Sequence, residues 1–260
     1  MKEHQFLAEW SKWQPNEPPH QFPGDEDILA ELGSKEKTRV FRSWEEYYQA
    51  PDFCEPGDTR LHLGLLPQPF IGNLRTAKVF VLMLNPGLNP NDYFAQYAQP
   101  GFRQAMLDNL AQRNVETFTF LDPQFAWCSG FRYWHSKFSK LIEALADNGG
   151  RSFSQARKEF SKWLATIELV PYHSRHFNIG SRYIKRMKSA ELARSFVDEV
   201  VIPRAIAGEC VIVVTRKVKQ WDIPAGSNVI IYNNAEAQAA YITPHSRGGA
   251  RILQFLTNLN

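Results

Sequence analysis

At 260 residues the chain has room for one large domain, or for a domain with an appended segment. Hydrophobic residues at 43% and charged residues at 22% describe a globular chain with a sizeable core and exclude a disordered or fibrous one. A net charge of +3 permits a nucleic-acid partner without requiring one, and the three dispersed cysteines, Cys54, Cys128 and Cys210, offer neither a disulfide framework nor a four-thiolate cluster.

In chain order, Met1-Lys2-Glu3-His4-Gln5 opens no signal-peptide core, and no apolar run reaches membrane-spanning length. With the cysteine usage this predicts a cytoplasmic protein with no membrane association. Residues 1–24 carry Trp10, Trp13 and four prolines, and read as an irregular arm packed on a domain. Asp25 to Leu32 reads as a short helix ended by Gly33, and Ser43-Trp44-Glu45-Glu46 as a capping-box start to another. Residues 51–75 are turn-rich. Residues 1–75 are therefore expected to be a wrap of short elements on a domain spanning 76–260.

Val79-Phe80-Val81-Leu82-Met83-Leu84 is a near-continuous apolar run, the pattern of a strand buried on both faces. It stops at Asn85-Pro86-Gly87. Pro86 cannot extend a ladder, and Gly87 permits a sharp turn with positive φ. Asn85 is thereby expected at the carboxyl end of a central strand, where open α/β sheets bind ligands. Asn91-Asp92-Tyr93-Phe94 and Tyr97 follow, aromatics that suit either loop packing or a stacking platform.

Residues 102–113 read as helix, Phe118 to Phe120 as a short extended piece, and Asp122-Pro123 as a turn. Phe125, Trp127, Phe131, Tyr133 and Trp134 are interleaved with Arg132 and Lys137, a texture shared by buried aromatic clusters and nucleic-acid surfaces. A helix is expected over Ser136 to Leu145, ending at Gly149-Gly150. Another, capped by Ser152 or Ser154, should run to about Leu164.

Thr166 to Val170 is the second expected strand, ending in Pro171-Tyr172-His173-Ser174-Arg175-His176. The linker from Asn178 to Lys188 carries Arg182, Lys185 and Arg186, suited to a solvated face or to phosphates. Ser189 should open a helix to Ala207, kinked by Pro203. Cys210 to Thr215 and Asn228 to Tyr232 are the third and fourth strands. Tyr241-Ile242-Thr243 leads into Pro244-His245-Ser246-Arg247-Gly248-Gly249, and a last helix should run from Ala250 to about Leu259. Strands alternating with helices predict a parallel sheet covered on both faces.

Leu84-Asn85-Pro86-Gly87-Leu88 resembles the first motif of the uracil-DNA glycosylase superfamily. It is closest to the Asn-Pro-Gly form of the mismatch-specific and single-strand-selective branches. His245-Ser246-Arg247-Gly248-Gly249 resembles the second motif, with Ser246 where a proline usually follows the histidine. The resemblance implies an α/β class fold, a three-layer α/β/α sandwich with a central four-stranded parallel sheet. It implies a monofunctional DNA N-glycosylase that hydrolyses the bond to a flipped-out base, monomeric and free of metal, cofactor and small-molecule partner, with DNA as substrate.

Asn85 would hold the attacking water and His245 would donate to the departing base, the two catalytic residues. Pro86, Gly87, Leu88, Tyr93, Phe94, Tyr172, His173, Ser246 and Arg247 would contact the substrate. Arg182, Lys185, Arg186, Gly248 and Gly249 would meet the DNA backbone. The base stays open: uracil, a mismatched or damaged base in repair, or a modified base in foreign DNA, a defence role. Two other readings stand beside this one. One is a non-enzymatic nucleic-acid-binding module; the other is a metal-dependent hydrolase using His173, His176 and His245. No Walker loop, dinucleotide fingerprint or Gly-x-Ser-x-Gly elbow is present.

Overall fold

The apolar run at Val79 forms a strand in a computed structural model that describes residues 3–15, 17–216 and 218–258. Among those residues the strands are β1 (Thr38–Arg39), β2 (Leu61–His62), β3 (Phe70–Ile71), β4 (Val79–Met83), β5 (Leu164–Glu168), β6 (Val211–Val214) and β7 (Val229–Ile231). Met1, Lys2 and Leu259, at the ends of the arm and of the last expected helix, lie outside the described residues. The chain is mixed α/β and divides into two units. The first comprises Met1–Phe70, Leu84–Arg113 and Glu168–Phe196; the second comprises Ile71–Met83, Asn114–Ile167 and Val197–Asn260. No helix among the described residues is long and apolar enough to cross a membrane.

The second unit holds the main sheet, in the order β3-β5-β4-β6-β7, with Phe70 of β3 and Glu168 of β5 counted in the first unit. The order sets β4 in the middle, and all five of its residues are buried, as its unbroken apolar run requires. β4 pairs parallel with β6, Phe80 beside Ile212 and Val81 beside Val213, and β6 pairs parallel with β7. Side chains alternate along a strand, so Phe80 and Val213 occupy opposite faces. The Arg204 guanidinium, on helix Ile202–Ile206, lies 5.2 Å over the Phe80 ring. Gly248, on helix Arg247–Thr257, packs so closely on Val213 that an added Cβ would stand 2.9 Å from its Cγ1.

Several local expectations change. The expected four-stranded parallel sheet is a mixed one of five strands. The extra strand, Phe70–Ile71, is too short to show periodicity between Pro69 and Gly72. Phe118 to Phe120 is not extended: Thr119–Leu121 is a 3-10 turn. The helix expected from Ser136 starts at Ser129 and runs to Gly149, because the Cys128 sulfur accepts from the Phe131 N–H at 3.3 Å and caps it. Gly150 ends it with φ of 58°. Ser152, not Ser154, caps the next helix, Phe153–Trp163, in a reciprocal box with Gln155. The long helix from Ser189 is two, Lys188–Phe196 and Ile202–Ile206, joined by a π-turn over Val197–Val201. Pro203 has no N–H to continue the α ladder, and the turn before it widens.

In the first unit the supposed arm contains a helix, Gln5–Lys12, whose Trp10 is fully buried with its ring 4.3 Å from Phe22. Its apolar side holds three residues that propensity alone does not flag, Phe6, Leu7 and Trp10, and their burial outweighs the prolines that follow. Helix Glu26–Gly33 follows. Ser43 caps Trp44–Tyr48 by accepting from Glu46 N at 2.9 Å, while the Glu46 carboxylate turns back to Arg42 N, so the box is only half made. A second apolar cluster joins Phe41, Tyr47, Leu65 and Tyr93, with Leu88 and Trp44 packed on it. β1 and β2 form a separate parallel pair.

His20 is only 2% exposed and neither ring nitrogen has a hydrogen-bond partner. Burial, and then the charge of Arg103, lower its pKa from 6.5 to about 4. An unfolded chain takes up this proton near pH 6.5 and the folded one does not. The contribution is therefore fully present above pH 6.5 and is lost as pH falls toward 4, a total of roughly 3 kcal/mol. Urea unfolding at stepped pH should show that loss for the parent and a flatter acid limb for His20→Phe; parallel limbs would remove His20 as the cause.

Candidate active site

The turn after β4 is fixed by the segment that follows β5, and the two lie together in the first unit. Val170 N donates to Leu84 O at 2.9 Å and Ser174 N to Pro86 O at 3.2 Å. His173 Nδ1 meets Gly87 O at 2.8 Å. Gly87 has no positive φ, contrary to expectation. Its bridge to Ser174 holds it in extended backbone, and its missing side chain leaves open space beside it.

Asn85 is half-buried and its amide direction is dictated chemically. Nδ2 lies 2.8 Å from Pro86 O, 3.2 Å from Tyr172 O and 2.9 Å from Ser174 Oγ. Two of these are backbone carbonyls, which only accept, so the nitrogen must face them. Two N–H bonds serve three acceptors, and Oδ1 is left on the other side with no hydrogen bond and without being buried.

Tyr172 is 1% exposed, so its ring offers no surface to a substrate. Its hydroxyl donates to Asp25 Oδ2 at 2.7 Å and accepts from Phe22 N at 3.1 Å. Asp25 also receives Ser189 N at 3.1 Å and Ser189 Oγ at 2.5 Å, at the start of helix Lys188–Phe196. Burial raises the Asp25 pKa, against the pull of these donors. The expected substrate contact at Tyr172 is thus a structural one made through its ring, while its backbone oxygen orients Asn85.

His173 is buried, and burial lowers its pKa, so it is neutral. Gly87 O can only accept, which places the ring proton on Nδ1. Nε2 is buried with no hydrogen bond of normal geometry, the Leu66 backbone being nearby. The His173 carbonyl accepts from His62 N at 2.8 Å. The His62 ring spans Asp58 Oδ2 at 2.8 Å and the Tyr93 hydroxyl at 3.1 Å. Burial of Asp58 is outweighed by hydrogen bonds from His62 and Arg60, which hold its carboxyl below the usual range. Tyr93 is fully buried and stacked on Tyr47 at 4.3 Å, so it is no stacking platform for a base. Phe94 is partly exposed, edge-on to Trp44 at 5.9 Å. Pro86 is buried, and Leu88 packs on the Phe41–Tyr93 cluster.

His245 belongs to the second unit, Asn85 to the first. His245 is exposed, and Ser246 rather than His245 caps helix Arg247–Thr257, accepting from Gly249 N at 3.1 Å. Arg247 is engaged: it donates to both Glu236 oxygens at 2.8 and 2.6 Å and to Ile231 O at 2.6 Å. That contact brings the Glu236 pKa down to about 2. Gly248 and Gly249 serve packing, since a Cβ on Gly249 would fall 1.9 Å from Thr243 O. Of the basic linker, Arg186 pairs with Glu31 at 2.9 Å and Arg182 donates to Tyr183 Oη at 2.8 Å, while Lys185 is exposed. His176 Nε2 bonds Pro56 O at 2.8 Å. Among the described residues no three His, Cys, Asp or Glu side chains are placed to hold a metal ion, so the set His173, His176 and His245 is not assembled.

Asp25, Asp58, His62, Ser174 and Ser189 are the site residues that sequence reasoning missed. Only Asp58-x-Arg60-x-His62, a dense polar triplet inside a turn-rich stretch, carried a local signal. Comparison of the chain with protein-family models, curated proteins and solved structures finds no match.

Tyr172→Phe keeps the ring but leaves the Asp25 carboxylate short of a donor and Phe22 N without an acceptor. It should cost about 1–3 kcal/mol of stability in urea unfolding. A variant as stable as the parent would mean that the hydroxyl does not anchor this segment.

Proposed function

We propose that the chain is a DNA N-glycosylase, hydrolysing the bond between sugar and base without a covalent intermediate. The observation that carries this reading is the Asn85 amide, whose nitrogen is committed to neighbouring acceptors while Oδ1 stands open. An oriented amide oxygen can accept a hydrogen bond from water and hold it for attack on an electron-poor sugar carbon. It is a weak base, so bond breaking must run ahead of attack, with positive charge on the sugar and negative charge on the base. His245, exposed on its loop, is the residue we assign to meet that negative charge by donating to the leaving base.

The reading also takes β5, β4, β6 and β7 as a parallel set covered on both faces. Arg204 over Phe80 and Gly248 against Val213 support helices on opposite sides. Tyr93 and Tyr172 enter it as supports of the Asn85 turn and Arg247 as a support of the segment that carries His245, and Phe94, unlike Tyr93, keeps surface to offer a base. The neutral, buried His173 enters it as a second support, holding Gly87 by its Nδ1 proton. The base itself, and with it repair or defence, is to be found by incubating the protein with oligonucleotides and genomic DNAs of different base chemistry and detecting free bases and abasic sites.

Asn85→Ala should lower single-turnover base release roughly ten- to a thousandfold with folding intact. Asn85→Asp should not rescue it, because a carboxylate oxygen would face the carbonyls of Pro86 and Tyr172. Full activity in Asn85→Ala removes the residue from the mechanism. His245→Ala should slow the chemical step far more than it weakens DNA affinity, since the charge it meets exists mainly in the transition state. A His245→Ala protein that binds weakly but reacts at the parent rate when saturated would sink the assignment.

A further inference from the structure

The aromatic segment before and within helix Ser129–Gly149 divides in the structure. Phe125, Trp134 and Phe138 are buried, while Tyr133 stays 38% exposed. One turn on, the Lys137 amine lies 5.2 Å from the Tyr133 ring centroid and 4.3 Å from that of Tyr241, which is 51% exposed. All three residues belong to the second unit, the unit that carries His245. Arg132 and Lys140 are exposed on the same helix, and its first acidic residue is Glu143. Burial, and then the charge of Arg216, lower the Lys137 pKa, so like charges are held near one another.

The Tyr241 ring is not the sole anchor of its loop. The loop is set by backbone contacts: Tyr241 O accepts from Tyr232 Oη at 2.9 Å, and Thr243 N donates to Ser246 Oγ at 3.1 Å. The phenol is a large, half-exposed ring beside the Lys137 amine, and Arg216 lies near enough to that amine to act on its pKa. Rings with lysines among them suit a polymer that alternates flat bases with phosphates. A base presents its face to a protein ring only when it is not stacked inside a duplex, so the geometry selects an unpaired strand.

We propose that Tyr133, Lys137 and Tyr241 form a contact site for an unpaired DNA strand. The inference deepens the glycosylase reading and rests on it for the polymer being DNA. The test is fluorescence polarisation with a labelled mixed-sequence oligonucleotide of roughly 15 nucleotides, single-stranded or annealed to its complement. Tyr241→Ala and Tyr133→Ala should each weaken single-strand binding roughly five- to a hundredfold and duplex binding much less, and Tyr241→Phe should retain parent affinity. Lys137→Gln should weaken binding and reduce the salt slope by about 0.7.

Parent affinity for the strand in both alanine variants, equal losses on strand and duplex, or no strand binding by the parent overturns the proposal. Thermal unfolding of Tyr241→Ala guards against a folding defect, and Tyr133→Ala, on a different element, gives an independent measure. Strand binding through Tyr241 by a protein that releases no base keeps this site and removes the glycosylase reading. Base release with strand binding indifferent to Tyr241 and Tyr133 does the reverse.

Discussion

Two backbone carbonyls, those of Pro86 and Tyr172, decide which way the Asn85 amide faces. The open side of Oδ1 depends on that constraint. A carbonyl oxygen cannot donate, so no rearrangement of protons can turn Asn85 round without breaking both contacts. The constraint holds only while Tyr172 stays in place. Its hydroxyl is tied to Asp25, and Asp25 in turn gathers the backbone N–H and hydroxyl of Ser189. A helix start thus reaches Asn85 through one carboxylate and one phenol.

This arrangement puts costly groups inside. A buried carboxylate without donors would be strongly destabilising, and Asp25 and Asp58 are each tolerated because several donors converge on them. His20 and His173 are accommodated differently, by remaining neutral. All four lie in the first unit, and three of them, Asp25, Asp58 and His20, come from the N-terminal seventy-five residues. That segment is therefore no passive cover. With His62, which bonds the His173 carbonyl, it supplies the polar framework around the Asn85 turn.

The second unit uses its glycines and arginines in another way. Gly248 and Gly249 let a helix start press against Val213, Tyr232 and Thr243, where any side chain would collide. Arg247 neutralises Glu236 and bonds Ile231 O, tying the helix start to the end of β7. Residues that read as ligand contacts in a short motif are here also tied into the packing of the unit, while the exposed Tyr241 ring stands against Lys137.

What the sequence determined by itself was local or periodic. The unbroken apolar runs predict β4, β6 and β7, and Gly150 and Ser152 mark a helix end and the next helix start, because each signal sits within a few residues of the element it specifies. Asn85 at the strand end was legible for the same reason. Tertiary structure alone decided the two-residue β3, which exists only through pairing with distant chain, and the helix at Gln5, which exists through burial of Trp10. It also decided which polar residues serve the site. Asp25 and Tyr172 are 147 positions apart, and Asn85 and Ser174 are 89 apart, so no spacing could reveal either contact. Whether an aromatic is core or surface was equally hidden: Trp134 and Tyr133 are neighbours in sequence, but one faces the interior and the other stands beside Lys137, because a helix turns successive residues about 100° apart.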